Sequence, residues 1–518
     1  MGERSTLMKD FWRGGELFVW MTASGVALSL LMVAGMLGLI MINGLGQFWP
    51  GALQETTLKT QETVIGQVVG EEVIPNSITP DSPTGQRRFR YRVGNRDVFG
   101  SEYRWINAAD IVSSAHPEDL TLVERREWGP AFGRITVGVE GAATGSASGS
   151  SWTTVKTLVE RANQLRRRIE HLERDEIGSI NYRIEKARLA RHALTLGGRL
   201  APGDAEKDQR LLDQITALER DYLTKTEALE RLHKEAGQEV LFLTVSTGRS
   251  VRLSLDQVLA VSRPNGMHWG EKLLAYVQSL WLFVSTEPRE ANTEGGIFPA
   301  IFGTVLMVFL MTLAVMPFGV MAAVYLREYA NQGLLVRLVR IAVNNLAGVP
   351  SIVFGVFGLA FFVYALGGTI DQWLFPEALP NPTFGTGGIL WASLTLALLT
   401  VPVVIVATEE GLSAVPRDFR EGSLGLGATK FETLRHVILP CALPGILTGL
   451  ILAMARAAGE VAPLMLTGVV KLAPALPLDE YLPFLHLDRK FMHLGFHIYD
   501  VGFQSPNVEA AKPMVYMT

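Results

Sequence analysis

Two charges stand in a stretch that otherwise carries none. Across residues 436–470 the only Asp, Glu, Lys or Arg side chains are Arg456 and Glu460. Four residues apart, they share one face of a helix. A charge near the centre of a bilayer costs about 2.5–3.5 kcal/mol on insertion scales, so it belongs against a bundle interior or a water-filled path. The planar donor fork of arginine makes charge-assisted bonds to oxyanions, and rings of Arg or Lys line anion pores. Arg456 is therefore read as facing a translocation path and meeting an anion, while Glu460 orients it or pairs with it between cycles. The competing reading is a structural ion pair that bridges helices. Pro463, three residues on, can break the helix and free backbone groups near the path. Pro317 and Pro350 could act likewise in other spans or be simple kinks, and Pro402 reads as a kink.

A second constellation is Glu421-Gly422-Ser423-Leu424-Gly425-Leu426-Gly427, then nine residues, then Val437-Ile438-Leu439-Pro440. It reads as a short helix beginning at Glu421, a glycine break, an amphipathic helix starting near Lys430, and a proline-terminated passage into the membrane. The plainer alternative is an interfacial loop. Catalytic motifs do not compete with this reading. The sequence holds no GK dipeptide, hence no Walker A loop, and no H-E-x-x-H, C-x-x-C or G-x-S-x-G. Its nine histidines show no ligand spacing, and His171, His192 and His233 fall on polar helix faces. The single cysteine, Cys441, excludes an internal disulfide and a cysteine-cluster metal site. No cofactor or metal is expected, and the chain is not read as an enzyme.

The elements that position these residues follow from the distribution of charge. The chain has 518 residues, 19% of them charged, and a net charge of -4, which gives no reason to expect nucleic acid as a partner. A membrane helix needs about 20 mostly apolar residues. Residues 17–54, 295–326, 341–370 and 378–408 contain no charge, and 436–470 only the pair above. This predicts five spans, centred near Ala34, Leu310, Gly355, Ala397 and Met454. The first window is too long for a cleavable signal and lacks an A-x-A ending, so it is expected to stay as an anchor. Glu409 and Glu410 read as the solvated end of the fourth span, with a gate as the alternative.

Lys and Arg mark the cytoplasmic side. Arg4, Lys9 and Arg13 place the N-terminus inside; Arg327, Arg337 and Arg340, then Arg417, Arg420, Lys430 and Arg435, do the same for two later loops. Residues 1–16 are thus read as a cytoplasmic N-terminus, 17–45 as the first transmembrane helix, 46–290 as a periplasmic domain, and 295–518 as a membrane domain. The chain stops at Thr518 after Met514-Val515-Tyr516-Met517, which looks like the start of another apolar run.

Within 46–290, residues 62–140 alternate like strands, and 141–151 (GAATGSASGSS) form a Gly/Ser linker. Val155, Leu158, Ala162, Leu165, Ile169 and Leu172 keep a heptad; Ile177, Ile180, Ile184 and Ala187 continue it after a slip. A break at 197–203 turns the chain, and Leu211, Ile215, Leu218, Tyr222, Lys225, Leu229, Leu232 and Ala236 keep a second heptad with only Lys225 polar. The expectation is an antiparallel coiled-coil hairpin at 153–236 inserted between two β-rich halves, since 240–261 return to strand-like alternation. Trp269, Leu273, Leu274, Val277 and Trp281 form one apolar face of a short helix, suited to a membrane interface or to an ordinary place on the external domain.

The loop around Glu421 resembles the EAA loop of type 1 ABC-importer permeases: E-A-A, three residues, G, nine residues, I-x-L-P. Glu421, Gly427, Leu439 and Pro440 match; Gly422 and Ser423 stand where the family has alanines, and Val437 where it has Ile. More specifically, the chain resembles PstA-type permease subunits of bacterial phosphate importers, through 295–304 (GGIFPAIFGT), 325–330 (YLREYA), 344–358 (NNLAGVPSIVFGVFG) and 443–468 (LPGILTGLILAMARAAGEVAPLMLTG), the last with the family's RAxGE match at Arg456, Gly459 and Glu460. The resemblance implies a mainly α fold, a polytopic helical permease of the type 1 ABC importer class, here with a periplasmic α+β domain carrying the coiled-coil hairpin. It implies a bacterial inner-membrane location and half of a path for ATP-driven import of inorganic phosphate. The implied partners are a second, PstC-type permease subunit, two PstB-type ATPase subunits, one of which receives the coupling residues Glu421, Gly422, Ser423, Gly427, Val437, Leu439 and Pro440 in a cleft, and a periplasmic phosphate-binding protein. A sixth helix, present in the family, is expected to be missing here. The rival readings are a coiled-coil membrane sensor, which would need a larger cytoplasmic output domain, and a periplasmic scaffold, which leaves the later spans unexplained.

Overall fold

The computed structural model describes residues 16–74, 86–138, 152–196, 204–505 and 508–518. Arg4, Lys9 and Arg13, the 141–151 linker and the break at 197–203 lie outside the described residues. Helix α1 (Glu16–Gly46) is apolar on all sides, so a bilayer can surround it. Ten strands follow, β1 (Gln54–Leu58), β2 (Thr63–Val73), β3 (Arg87–Arg92), β4 (Tyr103–Asn107), β5 (Ile111–Ala115), β6 (Thr121–Arg125), β7 (Ala131–Gly138), β8 (Val240–Thr244), β9 (Ser250–Ser254) and β10 (Val258–Ser262). They build two five-stranded antiparallel sheets, ordered β4-β3-β2-β1-β5 and β10-β6-β7-β8-β9. Strands β7 and β8 are direct neighbours, from Gly138↔Val240 to Arg134↔Thr244. The long helical insertion therefore replaces the turn of an ordinary β-hairpin.

That insertion holds α2 (Trp152–His171), α3 (Gly178–Thr195) and α4 (Asp204–Gln238). A π turn at Leu172–Ile177 joins the first two, where the heptad slips; a wider turn shifts the phase while keeping the chain helical. Val155, Val159 and Ala162 enter the core of the second sheet beside Leu241, Leu243 and Val258. Further out, Ile180 and Ile184 meet Leu218 and Tyr222. Arg188–Glu219 and Arg191–Asp208 pairs run in opposite sequence directions, so α3 and α4 are antiparallel. The one polar heptad position, Lys225, lies 2.5 Å from the Glu176 carboxylate on the facing arm.

Helix α5 (Trp269–Ser285) leads to the membrane part: α6 (Phe298–Val324), α7 (Leu334–Leu346), α8 (Ser351–Phe357), α9 (Gly368–Leu374), α10 (Ile389–Ala414), α11 (Arg417–Gly425), α12 (Lys430–Thr433), α13 (Leu439–Gly459), α14 (Ala462–Thr467), α15 (Leu494–Tyr499) and α16 (Val508–Met517). Among the described residues five helices are long and apolar enough to cross a membrane: Phe18–Gly46, Phe298–Tyr329, Ser351–Leu374, Ile389–Ala414 and Lys430–Gly459. The third differs from the apolar window that predicted it. Pro350 lacks an N–H and disfavours helix in the residue before it, so α7 stops short and the span begins at Ser351. Pro317 and Pro402, by contrast, remain inside α6 and α10. The core gathers Met307, Met311 and Val315 from α6, Leu396, Leu399 and Val404 from α10, and Ala453 and Ala457 from α13. Because α10 runs on to Ala414, Glu409 is not a solvated helix end: its carboxylate accepts from Arg340 Nε at 3.2 Å, while Glu410 is exposed.

Candidate functional site

Arg456 Nε lies 3.6 Å from Glu460 Oε1, and the side chains keep 38% and 20% of their surface accessible. The two side chains are paired yet keep part of their surface open. Its setting differs from a continuous helical face. Helix α13 ends at Gly459 and Glu460 is extended (φ -80°, ψ 131°), with α14 starting at Ala462 and carrying Pro463 in its first turn. Pro463 cannot donate, and its ring would clash with the carbonyl four residues back, so the break falls where that clash would occur. The freed backbone groups are taken up nearby: Glu460 N–H donates to Ala457 O at 3.2 Å, and Thr467 O accepts from Gly388 N–H at 3.0 Å. The broken helix is thereby laid against the start of α10.

At the other end of the same helix stands the loop that holds Glu421. Helix α11 begins at Arg417, not at Glu421, so Glu421 and Gly422 lie on its exposed middle turns. Ser423 Oγ bonds Thr433 Oγ1 at 2.9 Å. Gly427 has φ +89° with open space where a side chain would stand; an L-residue in that region costs about 1–2 kcal/mol. Thr429 then caps the next helix, accepting from Glu432 N–H at 3.2 Å while Glu432 Oε2 accepts from Thr429 N–H at 2.8 Å, a reciprocal capping box. The expected proline stop is absent. From Lys430 the chain stays helical through a π turn at Leu434–Ile438 into α13, and Pro440 sits in the first turn of α13, where its missing N–H costs least. Val437 and Leu439 are half-buried, and Pro440 is exposed.

The loop is fixed at its root and bare at its tip. Arg420 Nη2 donates to Leu412 O at 2.6 Å and lies 3.1 Å from Glu328 Oε1, and Lys430 stacks its ammonium 5.2 Å from the Tyr329 ring centre. Leu426 is 91% exposed, with Phe419 and Phe431 also open, a small apolar surface clear of the rest of the chain.

Sequence reasoning missed a buried polar cluster. Lys471 Nζ lies 3.0 Å from Asp500 Oδ2, and Asn292 Nδ2 donates to Asp500 Oδ2 at 3.2 Å and to Lys471 O at 3.1 Å. Asn292 is the third of three consecutive left-handed residues, after Glu290 and Ala291. Glu290 reaches the other way, to Arg96 at 2.6 Å. His493 and His497 are buried close by in sequence, and burial lowers each to about 4; for His497 the Asp500 carboxylate opposes that shift and Lys471 reinforces it. No periodicity signals this cluster, because Asn292 lies 179 and 208 residues from its two partners.

Residues 315–475, which contain both the loop and the charged pair, match the family model of the binding-protein-dependent transport system inner membrane component. A probable ABC transporter permease protein, YqgI of Bacillus subtilis (strain 168), is 32% identical over 235 residues, covering 44% of this chain and 74% of that protein. The chain belongs to the ABC transporter permeases. The permease is also similar to phosphate transport system permease protein PstA 1 of Mycobacterium tuberculosis (37% over 171 residues, 33% of this chain) and to PstA of Yersinia pestis (36% over 191 residues, 37% of this chain). It spans 50% and 59% of the lengths of those two relatives. A solved structure of the MetNI methionine ABC transporter is 20% identical, with TM-score 0.30, covering 46% of this permease and 88% of that chain.

Proposed function

We propose that this permease forms half of the translocation path for ATP-driven import of inorganic phosphate. One observation carries the reading. The loop at Glu421 and the Arg456–Glu460 pair stand at opposite ends of one helical run, Lys430–Gly459, of 30 residues. At 1.5 Å per residue that run is about 45 Å long, enough to cross the bilayer core and to carry a displacement from one face to the other. A partner that pushes on α11 and Leu426 therefore moves the charged pair.

The roles follow. Glu421, Gly422, Ser423 and Gly427 present the small helix, and Val437, Leu439 and Pro440 join it to the span. Separate PstB-type ATPase subunits supply the hydrolysis, since this sequence has no Walker A loop. A second, PstC-type permease completes the path, and a periplasmic binding protein delivers phosphate. Arg456 meets the anion as a planar donor, and Glu460 competes for it, so that binding stays weak enough for release. The similarity to the two PstA proteins supports phosphate as the substrate. We place the permease in the bacterial inner membrane, its N-terminus and Glu421 loop cytoplasmic and residues 46–290 periplasmic. Radiolabelled phosphate uptake by the reconstituted complex, with sulfate and molybdate as competitors, tests the substrate. Competition by sulfate and molybdate equal to that by unlabelled phosphate would leave an oxyanion permease and remove phosphate as its preferred cargo.

A further inference from the structure

Helix α5 is amphipathic in an unusual way for a helix that belongs to a folded domain: its apolar arc is larger than the surface it packs with. At about 100° per residue, Trp269, Leu273, Val284, Val277, Trp281 and Leu274 fall in one arc of roughly 140°. Ser285, Gln278 and Glu271 follow directly beyond its Leu274 edge, and Leu282, Ala275, Ser279 and Lys272 complete the other side. Tyr276 and Phe283, just beyond the Trp269 edge, and Leu280, just inside it, pack and join the cluster of Phe48, Ile297 and Ile301. The large arc is left bare: Trp269 is 71% exposed, Leu274 60%, Val277 54% and Trp281 69%.

Where the helix packs fixes where the bare arc lies. The Phe48 ring sits 6.4 Å from Tyr276 and 5.2 Å from Phe283, and Trp49 is 6.0 Å from Tyr276. Phe48 follows the end of the first span at Gly46, and Phe283 O accepts from Ile297 N–H at 2.8 Å, one residue before the second span begins. Among the described residues, none of the helices both long and apolar enough to cross lies between these two spans, so their facing ends share one side of the membrane. Two points of α5, seven residues or about 10.5 Å apart, are thus pinned at that level. The last turns of the first span are themselves bare, with Leu39, Met41 and Ile42 exposed.

We propose that α5 is an interfacial helix, seated with Trp269, Leu274, Val277 and Trp281 in the headgroup–acyl boundary of the leaflet at the end of the first span. Tryptophans favour that depth because their rings are apolar and their N–H groups reach headgroups or water. The polar side, Glu271 and Gln278, faces water. The consequence is mechanical: β10 ends at Ser262 and α5 begins at Trp269, so the sheets are moored to the membrane surface by a short tether. This inference stands whether or not phosphate is the cargo.

The test uses the full chain in phosphatidylcholine–phosphatidylglycerol vesicles. Cys441 is the only cysteine and is exposed, so Cys441→Ser gives a clean background for Val277→Cys and Gln278→Cys, each carrying a nitroxide. Relaxation by oxygen, which partitions into lipid, relative to relaxation by a water-soluble nickel chelate should be several-fold higher at 277 than at 278, with Trp281→Cys repeating the result. Equal ratios at 277 and 278 would place both sides in water and overturn the proposal. Protection of 277 from both reagents would mean a protein surface covers it, which overturns the proposal as well.

Discussion

In the extension, Arg134 spans the Glu55 carboxylate at 2.9 and 3.0 Å and reaches Asp119 at 2.6 Å; Arg92 holds Glu102 at 2.6 Å; Arg125, almost fully buried, holds Asp97 at 3.0 Å and donates to Trp128 O and Gly129 O. In the membrane part the helices meet through small residues. A methyl built on Gly449 of α13 would lie 2.2 Å from the Ala407 Cβ of α10, so those backbones touch with nothing between them. Among the described residues from 298 to 459, only Arg340–Glu409, Arg420–Glu328 and Arg456–Glu460 draw their charges into ion pairs. The solvent explains the contrast. Where water competes, an ion pair is inexpensive to form and worth little alone, so many accumulate. Where lipid surrounds the chain, helices associate by close packing and each retained charge carries a cost, so each marks a task.

Five experiments break or sharpen that contrast. Arg456→Gln should abolish phosphate uptake while the complex still assembles, as the anion-meeting role proposed for this part-exposed arginine requires. Wild-type uptake by this variant would reduce the pair to a structural bridge. Gly427→Asp should leave ATP hydrolysis running while uptake falls, since any side chain at φ +89° strains the loop that hands motion to the span; normal import would sink the coupling role. Gly449→Leu should separate α10 from α13 and lower stability in detergent by about 1–3 kcal/mol, the usual range for overpacking, with the thermal midpoint as the readout. Arg125→Met should cost the extension about 1–3 kcal/mol, because two backbone carbonyls lose their buried donor. Urea unfolding followed by near-ultraviolet circular dichroism would measure this, and uptake should be unchanged.

The smallest effect is expected from shortening the hairpin. Val155, Val159 and Ala162 belong to the core of the second sheet, so removing the whole insertion would open that core. Glu176 and Lys225 already face each other, and excision of residues 177–224 with a short Gly/Ser turn between them should leave uptake intact. Lost uptake at normal membrane levels would give weight to the contacts this segment makes with the membrane part. Tyr182 O–H donates to Leu482 O at 2.8 Å and stacks on Tyr481 at 4.7 Å, and His192 Nδ1 lies 2.6 Å from Glu377 O.

What the sequence determined by itself is whatever a local pattern encodes. Uncharged windows located the helices able to cross a bilayer, because lipid demands a continuous apolar run. The Glu421–Pro440 spacing located the loop, because a glycine break acts on its own neighbours. The heptads located the two arms of the hairpin, and their slip marked the π turn at Leu172–Ile177. Only the tertiary structure decided the rest. Pro317 and Pro350 carry the same two readings in sequence, yet the helix runs through the first and begins only after the second, since the cost of a lost hydrogen bond depends on what packs nearby. The loop helix starts at Arg417 and not at Glu421 because Arg420 is clamped to Leu412 and Glu328. Asn292, Lys471 and Asp500 meet because two remote segments fold onto one point, a convergence that no spacing along the chain can announce.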